Sequence, residues 1–196
     1  MLLLYGQQFC RAAGYIFFPT WFPEYLRETR GVSTSESGLL TALPLLAVVA
    51  GSLVGGVLVD WLWRRTGSLR ISRQATAVAA LAGCAACIAA AYFVSNVYGA
   101  VCLISLGTFC GTLAGPPASA TTIDKAGDHT EQIYGVMNMT GNLGAAACPL
   151  AIGLLVAKTG NWDLVLLVFV GIYATAALCW VFLDPRGQVA TEQHVA

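Results

Sequence analysis

Charge is what this sequence has least of. Only 10% of its 196 residues are Asp, Glu, Lys or Arg, whereas a soluble domain carries about 25%, so water is not the main solvent of the folded chain. Basic and acidic residues balance at 10 each, and no basic run is long enough to follow a phosphate backbone. Nucleic acid is thereby excluded as a partner. Acids are also missing from the middles of the apolar runs, because Glu24, Asp60, Asp163 and Asp184 all fall near run ends. Proton relays and cation sites inside a bilayer are built on carboxylates, so a cation-coupling group is not expected on this chain.

Catalytic signatures are absent as well. There is no Walker lysine loop, HExxH, GxSxG or Cys/His cluster of metal spacing, so neither an enzyme nor a cofactor or metal is expected. His129 and His194 fall in a connector and in the tail, and neither is assigned a metal or a proton. All seven cysteines (Cys10, Cys84, Cys87, Cys102, Cys110, Cys148 and Cys179) lie inside apolar runs, where they serve as small hydrophobes. Cys84 and Cys87 spell CxxC, but among alanines this carries no redox or metal role.

Apolar residues are abundant: 57% of the chain is hydrophobic and the mean hydropathy is +0.71, in repeated stretches long enough to cross hydrocarbon. About six spans are predicted, running from Leu2 to Leu26, Gly38 to Val59, Gln74 to Val94, Val97 to Ser119, Ile133 to Ala157 and Asp163 to Leu183. The connectors are too short to hold a domain. The start, Met1-Leu-Leu-Leu-Tyr5, lacks a basic leader region and reads as a retained first span. The expected organisation is an all-α integral membrane bundle over residues 1–183 and a short polar cytoplasmic tail over 184–196.

Orientation follows from Lys and Arg in the connectors, which resist translocation. Arg64, Arg65, Arg70 and Arg73 crowd one connector with a single acid, and Lys125 and Arg186 fall on the same side. Both termini are expected to face the cytoplasm, with the chain in the cell's inner membrane. Gly56-Val-Leu-Val59 with Thr66-Gly67 is echoed by Gly153-Leu-Leu-Val156 with Thr159-Gly160. Two such copies of about three helices each would be inverted relative to one another.

Arg11 is the residue whose position asks most for an explanation. It falls near the middle of the first span, where a lipid-facing guanidinium costs at least ~2.5 kcal/mol. Gln7, Arg11 and Tyr15 are spaced by one helical turn, so they form a polar stripe expected to face a cavity. Arg11 either reaches backbone carbonyls or the interface, or binds an organic anion through its planar charged fork. In the fifth span Asn138 and Asn142 share a face and either join helices or line a polar path.

The ladder Gly107, Gly111 and Gly115, with Gly51 and Gly55, reads as close helix packing. Pro116-Pro117 and Pro149 remove backbone donors and predict local kinks. Asp60 and Arg64 are placed to pair across one turn, beside interfacial Trp61 and Trp63.

Several of these motifs resemble the major facilitator superfamily, and within it the anion:cation symporters that include sugar-acid permeases and sialin. The similarity is to that family's C-terminal half. It is carried by Trp21-Phe-Pro-Glu-Tyr25-Leu, Gly38-Leu-Leu-Thr-Ala-Leu-Pro44, Gly115-Pro-Pro, Tyr134-Gly through Gly141-Asn-Leu-Gly, Pro149 and Lys158-Thr-Gly160. Gly56-Val-Leu-Val-Asp60 with Arg64-Arg65 is similar to the family's loop signature, with Trp61 and Trp63 replacing the expected Arg and Gly.

The resemblance implies half of a protein of about twelve spans that works by alternating access. It implies a small organic anion, such as a sugar acid, as substrate, with Gln7, Arg11, Tyr15, Asn138 and Asn142 facing it. Gly56, Asp60, Arg64 and Arg65 would serve a cytoplasmic gate, and cation coupling would lie in the other half. The implied partners are the lipid bilayer and either a second bundle of about six spans or a second copy of this chain. The rival expectation is a non-transporting membrane assembly subunit, or an inactive truncated transporter, whose glycine faces bind a partner.

Overall fold

The computed structural model describes residues 1–187. Within them every regular element is helical, with α1 at Leu2–Thr20, α2 at Phe22–Arg30, α3 at Thr34–Thr66 and α4 at Thr76–Tyr92. The remaining helices are α5 (Val97–Leu113), α6 (Gly115–Ala126), α7 (Thr130–Thr159) and α8 (Asp163–Phe182). A π-helical turn over Arg70–Ala75 leads into α4, and a 3-10 turn over Gly127–His129 separates α6 from α7. The last part of the predicted tail, residues 188–196, lies outside the described residues and includes His194.

Proline and glycine set the boundaries. The predicted first span to Leu26 is broken at Trp21, because Pro23 cannot donate to the carbonyl four residues back. The chain resumes as α2, which ends on Gly31 in the left-handed region, at φ 64°. α3 begins where the Ser33 side chain accepts from the Glu36 N–H at 3.2 Å and ends on Gly67 at φ 59°. Those caps explain why α3 outruns the predicted Gly38 to Val59: its 33 residues reach about 50 Å at 1.5 Å per residue. The predicted connector from Ala120 to Gln132 is largely helical, since α6 restarts after a break at Ala114, with proline in its first turn, and runs to Ala126.

Four segments among the described residues are long and apolar enough to cross a membrane: Thr34–Thr66, Arg70–Tyr92, Val97–Thr159 and Asp163–Phe182. The sequence predicts about six. Gln7, Gln8 and Arg11 lower the apolarity of α1, and the Val97–Thr159 segment contains α5, α6 and α7 together.

Around the bundle α7 packs on α1, α1 on α8, α8 on α4, α4 on α5, and α5 on α3. One end of the core is aromatic, with Phe17, Phe18, Phe22, Tyr25 and Phe169 buried against one another. Trp21 donates its indole N–H to the Pro149 carbonyl at 3.2 Å and ties α7 to this end. Glycine lets the helices close, and its contacts are internal to the chain. Gly51 meets the Phe109 carbonyl of α5, Gly55 meets Leu113, Gly144 meets the Phe9 carbonyl of α1, and Gly107 meets Cys87 of α4.

At the opposite end, Arg73 Nε donates to Asp124 Oδ2 at 3.2 Å, and its guanidinium lies 5.9 Å from the centre of the Trp63 ring. Lys125 Nζ donates to the carbonyls of Asp184 and Arg186 at 2.9 Å each and of Gly187 at 3.3 Å. These bonds join the α3–α4 connector, α6 and the segment after α8. Asp124→Asn leaves the buried Arg73 without its ion partner and is expected to destabilise the fold by about 1–3 kcal/mol. Exposed Asp60→Asn should stay within about 0.5 kcal/mol. Thermal unfolding of both variants in lipid nanodiscs, followed by tryptophan fluorescence, measures the difference.

Candidate functional site

A cavity of about 180 Å³ opens between α1, α3, α5 and α8. Arg11, Tyr15 and Phe18 line it from α1, Val48 and Ser52 from α3, Thr108, Gly111 and Thr112 from α5, and Tyr173 from α8. At ~30 Å³ per molecule the space matches about six waters, enough for a small polar solute. Among the described residues no Asp or Glu lines it, and the guanidinium is the only formal charge on its wall.

Arg11 reaches the cavity because helical side chains lean towards the N-terminus and across one face. Its Nη2 donates to Gln8 Oε1 at 2.8 Å, and its Nε is sealed from solvent without a hydrogen-bond partner among the described residues. Gly115 borders the guanidinium, where a Cβ would make ordinary contact at 3.5 Å from Arg11 Nη1. An unpartnered N–H sealed from solvent is costly to the fold, and being sealed it does not itself face the open space. The surrounding hydroxyls differ in how far they are engaged. Thr108 and Thr112 donate to carbonyls of their own helix, at 2.8 and 2.9 Å, while Ser52 and Tyr15 are exposed into the open space.

The predicted stripe is only partly assembled here. Arg11 and Tyr15 line the cavity, but Gln7 is fully buried elsewhere. Its Nε2 donates to the Leu4 carbonyl at 2.9 Å, and its Oε1 accepts from the Trp180 indole at 3.3 Å. Gln8 takes the place beside Arg11. Positions 7 and 8 both project near the azimuth of residue 11 on a helix, and Trp180 of α8 claims Gln7.

Asn138 and Asn142 are exposed on α7 and are not among the cavity-lining residues. Between them Gly141 packs on Gln8, where a Cβ would lie 3.0 Å from Gln8 Nε2. The amides thus lie on the helix that packs against α1 and do not line the cavity.

The expected gate residues lie apart from the cavity. Gly56 has open space where a Cβ would be, and Asp60, Arg64 and Arg65 are exposed. Asp60 and Arg64 form no ion pair among the described residues, contrary to their spacing, and Arg65 lies over the Trp61 ring at 5.5 Å instead. An aromatic face holds a cation without the rotamer cost of an exposed surface pair. The ion pair at this end is Arg73 with Asp124, which are 51 residues apart and carry no local signal of their meeting. Gln8, which holds Arg11, and the cavity-lining Ser52 and Tyr173 are groups that sequence reasoning overlooks. A glutamine three residues before Arg11 was the available cue for the first, and for Ser52 there was none.

Apolar helices closed on glycine contacts, with a small cavity around one arginine, define a multi-pass helical membrane protein with an internal polar site. The chain belongs to the Major Facilitator Superfamily, whose family model matches residues 4–195. It is 34% identical over 185 residues to the probable sulfoacetate transporter SauU of Cupriavidus necator, covering 94% of this chain and 43% of that protein. It is 33% identical over 179 residues to the probable galactarate/D-glucarate transporter GudP of Escherichia coli K12, covering 91% of this chain and 39% of the relative.

Among solved structures it resembles a peptide transporter POT (E310Q mutant, in complex with sulfate) with a TM-score of 0.65 and 20% identity, over 97% of this chain and 41% of the other. That likeness concerns the fold. The chain spans about two-fifths of the length of these relatives.

Proposed function

We propose that this chain is the substrate-binding C-terminal half of an organic-anion transporter of the sugar-acid type, working by alternating access between two bundles. The observation that carries the reading is Arg11, which lines a cavity whose wall has no Asp or Glu among the described residues. Relatives named for sulfoacetate and for galactarate or D-glucarate transport support an anion as guest. In this reading α1 with α2, α3, α4, α5 with α6, α7 and α8 make about six crossings as two inverted repeats. Asn138 and Asn142, exposed on α7, extend the substrate wall beyond the cavity lining. Gly56, Asp60, Arg64 and Arg65 serve the cytoplasmic gate, and Gln7 supports the site through Trp180.

Basic residues of the α3–α4 connector, the α6 end and the segment after α8 gather at one end of the bundle, which supports an inner-membrane topology with both termini cytoplasmic. Transport needs a second bundle, in the same or another polypeptide or as a second copy, and cation coupling falls to it. Binding needs only this chain, since α1, α3, α5 and α8 all line the cavity. The glycine faces that a non-transporting assembly subunit would offer to a partner are already filled by α1, α4 and α5.

Reconstitution tests the proposal. The purified chain in nanodiscs should bind D-gluconate by calorimetry, yet proteoliposomes of the chain alone should show no gluconate uptake above protein-free liposomes. Absence of binding by the wild-type chain would overturn the anion reading, and uptake by the chain alone would overturn the need for a second bundle.

A further inference from the structure

Tyr173 reaches the Arg11 cavity from α8 through a slot that two glycines leave. A Cβ at Gly14 of α1 would lie 2.5 Å from Tyr173 Cζ and 2.6 Å from its hydroxyl oxygen, and a Cβ at Gly111 of α5 would lie 3.3 Å from Cε1. The ring is therefore threaded between α1 and α5 and is only 3% exposed, yet it forms part of the cavity wall.

Confinement on both sides has already removed the ring's rotamer freedom, so its hydroxyl can be used without further ordering. Phenylalanine would fill the same slot without burying a hydroxyl, which disfavours a purely space-filling role. On α4 the neighbouring polar group is the Cys84 thiol, a weak hydrogen-bonding partner. Arg11 is the charged neighbour on α1.

We propose that the Tyr173 hydroxyl is a specificity group of this cavity, hydrogen-bonding a hydroxyl next to the carboxylate that Arg11 holds. It thereby selects 2-hydroxy acids over their deoxy analogues. The inference rests on the reading of the cavity as an organic-anion site. A site built around a hydrogen bond rejects an analogue that lacks the group, because its own polar atom is then left unpaired.

The test measures binding of D-gluconate and 2-deoxy-D-gluconate to the chain in nanodiscs by calorimetry. The wild type should prefer gluconate by about tenfold. Tyr173→Phe should bring the ratio of the two Kd values to about one by weakening gluconate. Gly14→Ala, which displaces the ring but keeps the hydroxyl, should collapse the ratio in the same way, and residual binding of the deoxy acid reports that each variant is folded. An unchanged ratio in Tyr173→Phe, equal weakening of both acids, or a wild type without preference overturns the role of Tyr173. If that happens while Arg11→Ala abolishes binding of both acids, the anion site stands and Tyr173 alone is refuted. A wild type that binds neither acid refutes both.

Discussion

Replacing Arg11 with alanine is expected to remove anion binding while leaving the fold as stable as before or slightly more so. The two effects separate because they draw on different interactions. In the absence of a ligand the guanidinium makes one side-chain hydrogen bond, from Nη2 to Gln8 at 2.8 Å, and its Nε is unpaired. Deleting it relieves a charge held at membrane depth, worth at least ~2.5 kcal/mol on insertion scales, and forfeits one bond to a neutral amide.

With an anion present the same deletion leaves a carboxylate in a cavity that no other cation lines among the described residues. Truncating one partner of a desolvated charge pair costs about 2–5 kcal/mol, equivalent to a loss of roughly thirtyfold to several thousandfold in Kd. Arg11→Lys should retain the charge but lose the planar fork, falling in between at about tenfold. Paired measurements of thermal unfolding and of D-gluconate binding check both. A lower unfolding temperature with undiminished binding would mean that Arg11 only braces the helices, and full affinity in Arg11→Lys would remove the argument from fork geometry.

Arg11 was legible in the sequence because its cost is local: a charge in an apolar run demands an explanation before any neighbour is known. The break before Pro116 was legible for a similar reason, since proline acts on its own chain segment, whereas the first span was read straight through Pro23 to Leu26 and is broken at Trp21. What escaped was whatever depends on another helix. Whether Gln7 or Gln8 stands beside Arg11 is decided by Trp180, 173 residues from Gln7. Arg73 and Asp124 are 51 residues apart, and nothing in the periodicity of either segment points to the other. The spacing of Asp60 and Arg64 favoured a pair, but both are exposed, and Arg65 is drawn to Trp61 instead. Tyr173 is a polar tip on an apolar helix whose slot is written as two missing side chains, Gly14 and Gly111, on helices distant in sequence. Glycine is the residue at which a pattern read along one helix says least about its partner.

Glycine also carries the largest expected effect on folding. Gly51→Ala and Gly144→Ala should each destabilise the bundle by about 1–3 kcal/mol or more, whereas Gly171→Ala should stabilise it by about 0.5–1 kcal/mol. All three sit inside helices, so helix propensity favours alanine at each. The difference lies in what the new methyl meets. At Gly51 it would enter the van der Waals shell of the Phe109 carbonyl oxygen and the Thr112 hydroxyl, and at Gly144 that of the Phe9 carbonyl oxygen.

A backbone carbonyl in the middle of a helix cannot rotate aside, so relief requires α3 to part from α5, or α7 from α1. Helix association in a bilayer draws on close packing rather than on a hydrophobic drive, so a gap opened there is not offset by water exclusion. Gly171 faces open space, and its methyl meets only the surroundings. Unfolding of the three variants in one lipid composition gives the comparison, and equal effects at all three positions would show that the close approaches of α3 to α5 and of α1 to α7 contribute nothing to stability.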